Sequence, residues 1–167
     1  MHQTLEQRHD APRHLQDLHV AGVGPGVPIM TDDGEIPVEL LGPGDRIVTR
    51  SGYCELLGVQ PVACGPDRAA IAPGALGRDL PASRILVGLG TGVHLTGDIN
   101  PETSIHPQAI VPARTLVRHG MATPVRARTL LFALVFERAE NFYAAGTGLS
   151  LHASLLTSPT ISRRRRH

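Results

Sequence analysis

An all-β fold of short strands is what this sequence predicts, on three observations. The first is the stretch from Gly22 to Arg50, GVGPGVPIMTDDGEIPVELLGPGDRIVTR, in which two turn signals divide β-type runs. Val27, Ile29 and Thr31 alternate with other residues up to Asp32-Asp33-Gly34, where the glycine supplies the positive φ of a tight hairpin turn. Ile36 and Val38 lead on to Leu40-Leu41, and Gly42-Pro43-Gly44-Asp45 reverses the chain before a strand Arg46-Ile47-Val48-Thr49. The second is composition. With 3% aromatic residues and no Trp, the core must be built from Val, Leu, Ile and Ala, and 18 Gly and 14 Pro imply many turns. The third is run length: the longest apolar run, Thr129 to Phe136, suits a strand and is too short to span a bilayer.

The other elements come in order along the chain. Asp10-Ala11-Pro12 can cap a short helix with Leu15 and Leu18 on one face. A strand holding Cys54 follows the Gly52 turn, Glu55 to Val62 continues in β-type residues, and Arg68 to Ala72 gives a further strand ending at Pro73-Gly74. Arg84 to Val87 and Val93-His94-Leu95 read as strands. Pro112 to Val117 reads as a short helix begun by Pro and stopped by Gly120. Arg128 to Phe136 and Asn141 to Ala145 flank Glu137-Arg138-Ala139-Glu140 as a hairpin, and Leu149 to Leu156 adds a last amphipathic segment. At 167 residues one domain is expected.

The order of strand, Asp-Gly turn, "IPVELLGPGD" and "RIVTR", continued by "GALGRDLPASRILVG", "IVPARTLV" and "LVFERAENFYAAG", resembles the Hint (hedgehog/intein) domain family in its short bacterial form. The resemblance implies a horseshoe of short twisted strands with one or two short helices. It divides the chain into an N-terminal extension over 1–21, a Hint-like β domain over 22–156 and an Arg-rich disordered tail over 157–167. Active members of the family are self-cutting. An opening cysteine attacks the preceding carbonyl to form a thioester, and a Thr/Ser-x-x-His arrangement distorts and protonates the scissile amide. Carried over position by position, the cysteine falls on Gly22, the hydroxyl residue on Gly88, the histidine on Thr91, and two later histidine positions on Ala133 and Ala139. Scaffold residues match and chemical residues do not. The expected function is therefore a degenerate Hint domain, unable to rearrange and cleave a peptide bond and left with a structural or interaction role, its protein partner unknown or absent.

Two alternatives belong to other classes. Self-processing could continue with Thr91 or His94 as substitutes, but Gly22 has no side chain, and His94 lies three residues past the family histidine position, on the opposite face of a strand. A tail-mediated contact with nucleic acid or an anionic surface could use Arg163 to Arg166. All 16 basic residues are Arg and the net charge is +1; apart from the tail, 12 basic residues face 15 acidic ones, so no dedicated polyanion binder is expected. Cys54 and Cys64 make neither a disulfide framework nor a metal site, and His9, His14 and His19, five apart, turn round a helix instead of stacking. The glycine-rich "GVGPGVP" and "VGLGTGVHLTG" lack the following helix that a phosphate loop needs. No cofactor or metal is expected, and with no apolar leader at the N-terminus the expected compartment is cytoplasmic.

Overall fold

The computed structural model of the protein describes residues 21–62, 66–95, 110–146 and 149–153. The expected N-terminal helix with His9, His14 and His19, the Arg tail and Cys64 lie outside the described residues. The fold is built almost wholly from short β-strands. β1 (Pro28–Thr31) and β2 (Gly34–Pro37) form the expected hairpin, with Ile29 opposite Ile36 and Thr31 opposite Gly34. The Thr31 hydroxyl tightens its turn, accepting from the Asp33 N–H at 3.1 Å and donating to the Gly34 carbonyl at 2.7 Å. β3 (Arg46–Thr49) and β4 (Gly52–Glu55) repeat the device, where Thr49 Oγ1 accepts from Ser51 N–H at 3.1 Å and donates to Gly52 O at 2.7 Å. A side-chain hydroxyl thus supplies local turn bonds that short strands lack.

Val38 to Leu40 departs from expectation: instead of extending β2, it is one 3-10 turn that buries Val38 and carries Leu40 outward. The remaining elements are β5 (Gly58–Val62), β6 (Asp67–Ile71), β7 (Ile85–Gly88), β8 (Gly92–His94), β9 (Ile110–Pro112), helix α1 (Ala113–Arg118), β10 (Thr123–Arg126), β11 (Leu131–Val135), β12 (Glu140–Tyr143) and β13 (Ser150–Ala153). The main sheet has eight strands in the order β2-β1-β3-β12-β13-β8-β9, with β4 also on β3. Two smaller sheets run β10-β6-β7 and β11-β5.

The hairpin expected across Glu137 to Glu140 does not form. β11 pairs with β5, Val135 opposite Gly58, whereas β12 pairs with β13 and β3, Phe142 facing both Leu151 and Thr49. Phe136 is buried between them, its ring 6.5 Å from that of Phe142, while residues 137 to 139 are exposed. Burying both rings outweighs the local pairing that a four-residue turn would have allowed.

The core is aliphatic, as composition demanded: Ile29, Ile47, Leu56, Ile71, Leu116, Leu131 and Leu151 are all fully buried. Each contributes about 1.5–3 kcal/mol through burial. Arg68 is buried among them, donating to the carbonyls of Asp67 and Thr129, each at 3.1 Å, and so fixing β6 against the segment before β11. Gly92 matters for the site below. A Cβ there would lie 2.8 Å from His152 Cβ and 3.0 Å from Ile110 Cγ2, so β8 can pass between β13 and β9 only as glycine.

Gly92→Ala is therefore expected to destabilise the fold by about 1–3 kcal/mol in chemical denaturation, through overpacking. Gly58→Ala, where a Cβ would meet nothing within 4 Å, is expected to change stability by no more than about 0.5 kcal/mol.

Candidate functional site

Val23 occupies a slot between β7 and β11, bridging Val87 on one side and Phe132 on the other. Its N–H donates to Phe132 O at 2.9 Å and Phe132 N–H returns to Val23 O at 2.8 Å, while Gly24 N–H donates to Leu86 O at 2.7 Å. The two small sheets are thereby joined through one residue. Glycine flanks Val23 because the approach is close: a Cβ on Gly22 would stand 3.1 Å from Leu131 Cβ and 3.2 Å from Phe132 O, and one on Gly24 3.1 Å from Leu86 Cβ. Gly22 also has φ +155°, a conformation that side-chain-bearing residues rarely adopt. Gly22 and Gly24 of "GVGPGVP" thus serve close backbone approach, the physical alternative to a phosphate loop, while Gly26, with φ +80° and nothing near its Cβ position, serves the turn.

Three of the positions singled out in the sequence meet here. Gly22 N–H donates to Thr91 Oγ1 at 3.0 Å, Thr91 Oγ1–H donates to Gly22 O at 2.9 Å, and Gly88 N–H donates to the same carbonyl at 2.9 Å. Thr91 is 2% exposed, so these bonds are made away from water, where an unpaired amide would cost the most. Its hydroxyl is engaged as acceptor and as donor, both toward Gly22. The N–H of the Ala21–Gly22 peptide and the carbonyl of the next one, Gly22–Val23, are thus held by neutral hydrogen bonds, and residue 22 carries no thiol, hydroxyl or imidazole.

Ala133, also a site candidate, is buried and lines a small cavity of about 30 Å³ with Gly22, Thr91, Phe132, Phe142 and His152. Ala139 is not brought there. It lies in the exposed segment between β11 and β12, because the chain changes sheets at that point. His94 sits in β8, buried, with Arg50 Nη1 2.7 Å from each ring nitrogen and able to donate to the unprotonated one, and it is not part of this cavity. Burial, and then the Arg50 guanidinium, push its pKa below the ordinary 6.5.

Sequence reasoning missed His152. Its Nδ1 lies 2.7 Å from Asn141 Oδ1, its cross-strand neighbour, which makes Nδ1 the protonated nitrogen and leaves the Nε2 lone pair unclaimed by that bond. The available signal was alternation: Ser150 and His152 share one face of β13 while Leu151 packs into the core. A histidine with its Nε2 lone pair free of that bond, beside the cavity, can accept a proton. Among the described residues no group of three His, Cys, Asp or Glu side chains could hold a metal ion, and no helix is long and apolar enough to cross a membrane.

A family model described as "Hint domain" matches residues 23–149. Among solved structures, the chain is similar to the gp41-1 intein, at 13% identity, TM-score 0.46 and coverage of 81% of this chain and 98% of that one. It is also similar to a glutathione-linked, splice-inactive variant of the AceL NrdHF class 3 split intein, at 11% identity, TM-score 0.47 and coverage of 80% and 97%. No curated protein matches.

Thr91→Val, which keeps the shape and removes the hydroxyl, is expected to cost about 1–3 kcal/mol in denaturant melts, with Thr91→Ser recovering most of it. Because folding lowers the pKa of His94, the unfolded chain binds the extra proton first. Its contribution to stability is thus complete above 6.5 and is lost as pH falls below it toward the lowered folded value. A pH series of melts should show this fall, and His94→Gln should flatten it.

Proposed function

Because the chain belongs to the Hint-domain family, a family of self-processing domains, we propose that it is a member in which the processing centre now holds the fold together and no longer cuts. One observation carries this reading: the residue that would bear the nucleophile is Gly22, and the space for a side chain on it is filled by Leu131 and Phe132. An acyl shift needs a nucleophile on the residue after the scissile carbonyl, and its removal costs several orders of magnitude in rate. Gly88 and Thr91, at the positions of the hydroxyl and the histidine, contribute hydrogen bonds to Gly22 O in place of acid–base chemistry. The domain so defined runs over 22–156, and the role left to it is structural or interactive. Substitute chemistry by Thr91 draws no support, since the hydroxyl is already engaged by Gly22 N–H and O.

The purified protein is expected to keep its intact mass with no break between Ala21 and Gly22, and dithiothreitol or hydroxylamine, which split thioesters, should leave that mass unchanged. A fragment beginning at Gly22, present in wild type and absent from Thr91→Val, would sink the proposal in favour of the substitute-residue reading. Gly22→Cys alone is expected to lower stability by about 1–3 kcal/mol and to produce no cleavage, since the new Cβ collides with β11.

A further inference from the structure

Five strand edges are left open by the sheet topology among the described residues: those of β2, β9 and β4 in the main sheet, and of β10 and β5 in the two joined by Val23. Four carry proline, at Pro37, Pro112, Pro124 and Pro61, and proline has no N–H to offer an incoming strand. β4, Gly-Tyr-Cys-Glu, has none. Its register shows which of its groups are open. In β3 the even-numbered residues face away from β4, Arg46 O accepting from Asp32 N–H and Arg50 N–H donating to Asn141 O. Ile47 and Thr49 therefore bond to their partners Cys54 and Gly52, and the N–H and C=O of Tyr53 and Glu55 point outward.

We propose that β4 pairs, antiparallel about a two-fold axis at Cys54, with β4 of a second copy of this chain. That register brings Tyr53 opposite the partner's Glu55 and Glu55 opposite the partner's Tyr53, so the open donors and acceptors of each strand are met by those of the other. The side chains agree. Tyr53 is 58% exposed and carries Arg46 over its ring at 5.0 Å, so the incoming carboxylate meets a guanidinium already in place. Arg46 also stands opposite its own Glu55, which leaves the edge without the uncompensated charge that blunts other edges. Leu57, 54% exposed, adds apolar surface beside the edge, and its N–H, donated to Val135 O at 2.8 Å, marks where the open edge ends after Glu55. The edge is short, so the dimer is concentration-dependent. The inference is independent of whether processing is lost.

Sedimentation velocity of the full chain over a range of concentrations is expected to show a monomer–dimer equilibrium. Tyr53→Pro, which removes an outward N–H and no bond to β3, should weaken it by about tenfold or more, and Glu55→Arg, which sets like charges against Arg46, should do the same without altering the backbone. In a Cys64→Ser background, copper(II) oxidation should take two electrons and two protons from the paired thiols and give a Cys54–Cys54 disulfide. Opposed residues in such a pair stand about 4.5 Å apart at Cα, within disulfide range. A monomer at every concentration overturns the proposal, as does a dimer insensitive to both variants or one that forms no Cys54 cross-link.

Discussion

Everything else in the fold depends on the seating of Val23 between β7 and β11. Neither small sheet is large enough to stand alone, one having three strands and the other two. Val23 joins them because both its edges are satisfied, through Phe132 on one side and, by way of Gly24 and Gly22, through Leu86 and Gly88 on the other. Three consecutive residues do this, and two are glycine, at positions where a Cβ would stand 3.1 Å from Leu131 Cβ or Leu86 Cβ. The slot and the candidate site are one feature: the residues next to the proposed processing position also make the bridges of Val23 to Val87 and Phe132.

That coincidence separates two demands on the same residues. A processing centre needs a strained amide, a nucleophile and a proton donor. A structural joint needs backbone donors and acceptors that are satisfied and neighbours that are packed. Gly22, Thr91 and Gly88 meet the second description, with the Gly22 carbonyl receiving two bonds at 2.9 Å and its N–H one at 3.0 Å. Of these bonds, the one from Gly22 N–H belongs to the Ala21–Gly22 peptide, and the two on Gly22 O hold the next peptide unit, Gly22–Val23.

Much of the fold was legible because it is written in local signals. Asp-Gly and Pro-Gly turns, period-two alternation and the Pro-to-Gly helix bounds located β1, β2, β3, β4 and α1 within a residue or two. What failed was pairing between segments far apart in sequence. β11 and β12 are adjacent along the chain and belong to different sheets, a choice made by the burial of Phe136 and by partners on β5 and β13. The candidate site divides in the same way. Gly22, Gly88 and Thr91 could be picked out from spacing against the family pattern, but that the hydroxyl of Thr91 binds both ends of Gly22 depends on a contact spanning 69 residues. That Ala139 lies away from Gly22, and that His152 lies beside it, could not be read from the sequence, because both depend on where β12 and β13 lie.

The bonds around Gly22 to Gly24 also settle how the domain answers a pull. Tension arriving through Ala21 runs along the strand axis, and the bonds to Thr91, Gly88, Phe132 and Leu86 lie across it. They are therefore loaded in shear and share the force, where bonds arranged in line would open one after another. Force applied at Ala21 is thus resisted by an anchorage that yields only when several bonds fail together.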